Sequence, residues 1–177
     1  GFKPGDFVFV PGADCFSEPV RSLFGGAAKR VSSPAKRLIK IDRAMGVNGA
    51  LFALAATARH AIAGFGNKMP EVIVGHGVLG RLLARFVVLA GEKPPVVWET
   101  NPLRHDGAAG YQVILPDCDE RSDYDCIFDA SGDSGILDKL IGRVGRGGEI
   151  VLAGFYPERL SFGFPQAFIK EVSMRVS

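Results

Sequence analysis

The nine residues Val72-Ile73-Val74-Gly75-His76-Gly77-Val78-Leu79-Gly80 constrain this chain more than any others. An apolar run enters G-x-G-x-x-G and leaves it in a helical run, Arg81 to Ala90. About twenty residues on, a second apolar run ends in an acid, Val96-Val97-Trp98-Glu99. Each part of that spacing has a physical reason. The first glycine allows a tight turn, the second lets backbone approach a pyrophosphate, and the third lets the helix pack close to its strand. Phosphates then rest on the free N–H groups and positive end of the helix. The acid accepts from the hydroxyls of an adenosine ribose and repels a phosphate on the same ribose, which favours NAD over NADP. Strand, glycines, helix, strand and acid in register are far more specific than the glycines alone.

The rest of the chain fits that frame from Glu71 onward. Strands are expected at Glu71–Val74, Val96–Thr100, Gln112–Leu115, Cys126–Ala130 and Glu149–Ala153, with helices at Val78–Ala90 and Gly135–Val144. Such β–α alternation implies a parallel, doubly wound α/β sheet. The apolar section Leu160 to Val176 adds an edge strand, where two copies of the chain could pair as a homodimer. Ligands in such a sheet lie beyond the carboxyl ends of the strands. The expected cofactor contacts are therefore Gly75, Gly77, Val78, Leu79, Gly80, Glu99 and Thr100, with Ala130, Ser131, Gly132, Gly154 and Phe155 at the later strand ends. Turn glycines are common, so Ser131-Gly132 suits a simple turn equally well, and Gly154 is open to the same reading. Gly147-Gly148 is better read as a turn alone.

Residues 1 to 47 look different. Phe7–Val10 lies between Pro4-Gly5 and Pro11-Gly12, a Gly-rich loop runs to Gly25-Gly26, and Ala28–Ser32 and Arg37–Ile41 are split by Pro34. Short strands between turn residues suggest a β-rich domain. Asn48 is a plausible N-cap for a helix from Gly49 to Ala63, ended by Gly64 and Gly66. The expected domains are thus 1–47, β-rich, and 48–177, dinucleotide-binding with its joining helix. Runs that read as strands at both termini suggest a piece of a longer polypeptide.

Composition narrows the classes. Of the 177 residues, 47% are hydrophobic and 23% charged, an ordinary globular balance. The net charge is +2 with no basic run, so nucleic acid is not implied as a partner. No run approaches the roughly 18 apolar residues of a membrane span. Cys15, Cys118 and Cys126 share no metal-like spacing, and scattered cysteines suit a reducing cytoplasm.

Several strings resemble the medium-chain dehydrogenase/reductase superfamily, the zinc alcohol dehydrogenase relatives. Pro4-Gly5-Asp6-Phe7-Val8 is similar to its P-G-D-x-V strand, and Gly26–Val31 with Leu38–Ile41 to its next section. Thr57-Ala58-Arg59-His60-Ala61 resembles its joining helix, and Gly147–Gly154 its later strand. The resemblance implies a Rossmann domain after a partial, GroES-like catalytic domain whose N-terminal half would precede Gly1. It adds Thr57 and Arg104 to the cofactor contacts. His60 becomes a candidate proton relay, although packed or capped helix histidines are more common. The catalytic base is otherwise unassigned. Further strings, Phe24–Ala28, Val74–Arg85, Trp98–Pro102 and Gly154–Tyr156, resemble a branch acting on bacteriochlorophyll precursors, which implies a tetrapyrrole substrate. Two departures argue against zinc. Ala53 stands four residues before Thr57, where many zinc members have a ligand, and only Cys15 lies where they carry a cysteine-rich lobe.

Three smaller expectations complete the picture. His76 occupies an x of the glycine motif, where side chains usually point outward. His105 is expected on a surface loop. Phe155, Tyr156, Phe162, Phe164 and Phe168 could line a flat substrate site, but core or subunit packing is the more usual role. Two rivals to a dehydrogenase remain: a zinc-free quinone or enone reductase using NADPH, and a sensor that binds the dinucleotide without turnover.

Overall fold

The computed structural model describes residues 1–12, 28–63 and 68–177. The expected loop to Gly25-Gly26, Cys15, and the helix-ending Gly64 and Gly66 lie outside the described residues. The chain divides into two compact units, Gly1–Ala53 and Leu54–Ser177. The division falls a few residues past the expected 47/48 boundary, inside the joining helix.

In the first unit, β1 (Val8–Phe9) pairs antiparallel with β2 (Ile39–Lys40), Val8 opposite Lys40. Lys40 Nζ lies 2.7 Å from the Asp6 carboxylate and secures this small ribbon. The strand expected over Ala28–Ser32 is not formed, and a 3-10 turn at Ala35–Arg37 replaces the start of the next one. Pro34 explains the turn: its fixed φ suits the residue before a helical turn and it has no amide for a ladder. The joining helix also starts differently. A 3-10 segment spans Arg43–Leu51, with the Asp42 carboxylate accepting from the Ala44 amide, and α1 follows at Phe52–Ala63. Asp42 caps the first turn of that segment, and Gly46, at φ 51°, breaks the helical backbone before Asn48 is reached.

The second unit holds a six-stranded parallel sheet. Its strands are β3 (Val72–Val74), β4 (Val96–Trp98), β5 (Gln112–Ile114), β6 (Tyr124–Asp129), β7 (Val144–Leu152) and β8 (Ser173–Val176). They lie in the order β5-β4-β3-β6-β7-β8. The order reverses between β3 and β6, which makes that gap the switch point of a doubly wound sheet. α2 (Val78–Leu89) links β3 to β4, α3 (Leu137–Arg143) precedes β7, and α4 (Phe164–Ile169) precedes β8. The late apolar section is thus a short helix plus an edge strand. Glu171, at φ 53°, reverses the chain between them.

Both faces of the sheet are covered, as a parallel sheet requires. Val72 and Val74 join Trp98, Ile127, Leu140 and Ile150 in one apolar cluster. Ile73 joins Leu83, Val97, Phe128, Val151 and the α1 residues Ala58 and Ala61 in the other. α2 buries Gly80, Leu83, Ala84 and Val87, a stripe at helical spacing. No helix among the described residues is long and apolar enough to cross a membrane.

Candidate dinucleotide-binding site

The glycine turn is built as its spacing requires. Gly75 has φ 93°, a conformation that side-chain-bearing residues rarely adopt, and a Cβ there would meet Ser131 Cα at 3.0 Å. A Cβ on Gly80 would fall 1.8 Å from the Gly75 carbonyl oxygen, so only glycine lets the first turn of α2 sit on the end of β3. Gly77 is the opposite case. It caps α2, and a Cβ there would meet nothing within 4 Å. The space in front of it is open to a ligand. The first bond of the helix runs from the Arg81 amide to the Gly77 carbonyl, 2.9 Å. The Val78 and Leu79 amides precede it and have no intrahelical acceptor. Val78 is half exposed at 49%. Open backbone and a helix amino end together form an anion cradle that a pyrophosphate fits.

Glu99 closes the site beyond β4. It is buried, and both carboxylate oxygens are held by backbone: Oε2 accepts from the His76 amide at 2.9 Å and Oε1 from the Asn101 amide at 2.8 Å. Burial pushes its pKa up, but the Asn101 and His76 amides, with the Arg104 charge, outweigh this and hold it below the usual carboxylate range. Glu99 is therefore ionised and fixed in direction. A carboxylate accepts at about four lone-pair positions, so two amides leave capacity for a ribose diol. Arg104 Nη1 lies 4.0 Å from Oε2, with its side chain 59% exposed. Thr100 is exposed beside it.

His76 corrects the expectation that it points outward. It is fully buried. Nδ1 lies 2.5 Å from the Arg104 carbonyl oxygen, which can only accept, so Nδ1 carries a hydrogen. In the neutral ring Nε2 then accepts from the Tyr111 hydroxyl, 2.8 Å away, and the two rings meet edge to face. Burial lowers the His76 pKa. Arg81 ties the same parts together, donating from Nε to the His76 carbonyl at 3.0 Å and from Nη2 to the Arg104 carbonyl at 2.9 Å. Position in a glycine motif suggested solvent. Tyr111 and the backbone of the Glu99–Arg104 loop, distant in sequence, override it. His105 is half-buried rather than on the surface, and its Nε2 donates to the Glu99 carbonyl at 2.8 Å.

On the other side of the switch point, Ala130, Ser131 and Gly132 follow β6, and Gly154 and Phe155 follow β7. Gly132 and Gly154 lie against each other: a Cβ on Gly154 would meet the Gly132 amide nitrogen at 3.2 Å. Asp129 and Tyr156, which nothing in the sequence singled out as a pair, join beneath them. Thr57 and His60 are exposed on α1. The late aromatics do not form one wall. Phe155 is 83% exposed beyond β7, whereas Phe162, Phe164 and Phe168 line a groove with Arg146, Glu171 and Met174 at the starts of β7 and β8. Among the described residues no three His, Cys, Asp or Glu side chains gather as metal ligands.

The chain is 58% identical over all 177 residues to the 2-desacetyl-2-hydroxyethyl bacteriochlorophyllide A dehydrogenase of Rhodobacter capsulatus, covering 56% of that protein. It is 55% identical to the enzyme of the same name from Cereibacter sphaeroides, covering 57% of it. The resemblance to the medium-chain dehydrogenase/reductase superfamily is borne out. No family model matches the chain. It spans just over half the length of the curated relatives it matches. Among solved structures, galactitol-1-phosphate dehydrogenase from Escherichia coli superposes with a TM-score of 0.75 at 18% identity, over 99% of this chain and 61% of that one. A zinc-binding dehydrogenase from Sinorhizobium meliloti bound to NADP gives 0.67 at 19% identity, over 81% and 48%. An Escherichia coli alcohol dehydrogenase complexed with NADH gives 0.66 at 19% identity, over 82% and 48%. The dehydrogenase fold extends across both units of the chain.

Proposed function

We propose that this chain is the dinucleotide-binding part of an NAD-dependent alcohol dehydrogenase whose substrate is a bacteriochlorophyllide bearing a hydroxyethyl group. The observation that carries the substrate is the 58% identity, across the whole chain, to a dehydrogenase named for that compound. The support for the cofactor is the glycine turn with an ionised, buried Glu99 beyond the next strand. Similar folds hold NADP in one relative and NADH in another, so the fold alone leaves the choice between them to this loop.

The nicotinamide, when bound, supplies a hydride acceptor. This chain's residues place it. Val78 and Leu79 amides hold the pyrophosphate, Glu99 holds the ribose hydroxyls, and the turns after β6 and β7 back the far end. Thr57, Thr100 and Arg104 border the same cleft in this assignment. The carbinol carbon of the hydroxyethyl group gives up its hydrogen as hydride, the hydroxyl gives up its proton, and an acetyl group remains. His60 is the residue of this chain to test first as the route for that proton. Glu99 weighs against an NADPH-dependent enone reductase, because its carboxylate repels a ribose phosphate. Pairing of two copies through β8 completes the proposal: it is the sheet edge, its Val176 is 80% exposed, and Phe164, Phe168 and Ile169 lie exposed on the neighbouring helix.

The test is to incubate the intact protein with NAD and the hydroxyethyl pigment and follow the pigment absorption band. A shift as the new carbonyl conjugates with the ring is expected, with NADH formed in equal amount. Protein that binds NADH yet leaves the pigment unchanged would overturn the substrate while leaving the dinucleotide site standing.

A further inference from the structure

Asp129 ends β6 with none of its surface exposed, directly beside the switch point. Its Oδ1 accepts from the Ser131 amide at 2.9 Å, and its Oδ2 accepts from the Tyr156 hydroxyl at 2.7 Å. Its backbone carbonyl accepts from the Ala153 and Gly154 amides, both at 2.9 Å. One residue thus holds the turn that follows its own strand and the turn that follows β7.

The two turns fit closely. A Cβ on Gly132 would meet the Phe155 carbonyl oxygen at 3.0 Å, and one on Gly154 would meet the Tyr156 hydroxyl at 3.3 Å. Side chains at either glycine would crowd the other turn, so glycine lets the two backbones approach, and the Tyr156 hydroxyl ties them through Asp129. A buried carboxyl is costly unless hydrogen-bonded, so this pairing is held firmly. Burial raises the Asp129 pKa, and burial together with the neighbouring carboxylate raises that of Tyr156, which keeps the phenol a donor.

Position gives the pair its meaning. In a sheet of this kind a dinucleotide lies across the crevice, one nucleotide over each half. Glu99 marks the β3–β4 half as the adenosine side, so the other nucleotide falls over β6 and β7.

We propose that the Tyr156–Asp129 pair is a positioning device for the nicotinamide end of the cofactor, fixing the backbone of Ser131–Gly132 and Gly154–Phe155 as one wall. The inference rests on the dinucleotide reading above. It acts through backbone, so neither side chain needs to touch the ligand.

The experiment compares NADH with ADP-ribose, which keeps the adenosine and both phosphates but lacks the nicotinamide. Calorimetry on the intact protein is run for the unaltered chain, Tyr156→Phe and Asp129→Asn. Tyr156→Phe removes only the hydroxyl that makes the tie. It should bind NADH about tenfold more weakly while ADP-ribose affinity stays within about twofold, the scale of losing one positioned hydrogen bond at one end only. Asp129→Asn keeps an acceptor for Ser131 and offers an amide N–H to the phenol oxygen. It should lose NADH affinity by roughly threefold at most. An equal loss of both ligands in Tyr156→Phe, or no loss of either, overturns the proposal. So does an asparagine variant as impaired as the phenylalanine one, since a side chain that still reaches both Ser131 and the phenol should preserve the wall. An unaltered protein that binds neither ligand overturns the dinucleotide reading and this inference together. One that binds both, with the variants changing them alike, overturns the inference alone.

Discussion

The backbone amide of His76 donates to Glu99 Oε2 at 2.9 Å, and this contact joins the glycine turn to the acid that lies 23 residues further on. The phosphate cradle and the ribose acceptor are therefore one rigid part. The Asn101 amide on Oε1 fixes the carboxylate from the other side. A charge held by backbone cannot swing aside to admit a second phosphate.

Replacing Glu99 with alanine should therefore narrow the preference for NAD(H) over NADP(H). Removal of the repulsion, with the exposed Arg104 cation left nearby, should shift the ratio of the two dissociation constants by about tenfold or more, which is about 1.4 kcal/mol. Calorimetric titration of both cofactors against both proteins measures it. An unchanged ratio removes Glu99 from the assignment.

Two glycines only three positions apart should respond oppositely to alanine. Gly77→Ala meets no atom within 4 Å and sits at φ −72°, so the fold should tolerate it at a cost of about 1 kcal/mol or less, the loss of a good helix cap. NADH binding should fall, because the new methyl group fills the space left for the pyrophosphate. Gly80→Ala places a methyl group 1.8 Å from a carbonyl oxygen of the backbone. The strand–helix junction must open, and about 3 kcal/mol of stability should be lost. Thermal unfolding beside NADH titration separates the two effects, and a stable, NADH-binding Gly80→Ala protein would contradict the close packing.

The sequence made the parallel sheet legible because its signals are local. Strand, turn glycine and helix register lie within nine residues at Val72–Gly80, and the apolar alternation from Glu71 onward repeats the unit. Elements set by non-local partners were not legible. His76 is buried because Tyr111 and the Arg104 carbonyl receive it, and Tyr156 turns inward because Asp129 lies at the next strand end. Neither pairing leaves a mark in spacing. The start of the joining helix is less legible for a related reason. Asp42 caps an extra 3-10 turn ahead of Asn48, and the backbone break at Gly46 between them leaves no mark in the apolar spacing. The late aromatics share composition but lie at opposite ends of the strands, which hydrophobicity alone does not reveal.

The purified chain should hold no stoichiometric zinc. Ala53 offers a methyl group where many zinc relatives have a ligand, and a structural site needs about four ligands. Elemental analysis after a weak chelator should find well under one zinc per chain. Close to one tightly held zinc would overturn the claim.

His76 should make stability depend on pH near neutrality. Its folded-state pKa is depressed, chiefly by burial and further by the Arg81 and His105 charges, while the Arg104 carbonyl and the Glu99 charge oppose the shift. The unfolded chain titrates near 6.5. Between that value and the lower folded one, the unfolded state binds the proton more readily, so stability is full above about pH 6.5 and is lost as pH falls. The slope for one group cannot exceed about 1.4 kcal/mol per pH unit. Glu71, Glu99 and Asp119 have lowered pKa values, so their contributions are present above the ordinary carboxylate range and are lost only in more acidic solution. Asp129 is raised by burial and moves toward this range, but it is common to the unaltered protein and a His76 variant, so their difference isolates the histidine. Protonation makes Nε2 a donor and forces the Tyr111 hydroxyl to turn its own hydrogen away. Denaturant unfolding of the unaltered protein and His76→Gln, at pH steps from about 7.5 to 5, tests the argument. The variant should be less stable at pH 7.5, and the difference between the two proteins should shrink as pH falls. A constant difference across that range would show that His76 keeps its ordinary pKa in the fold.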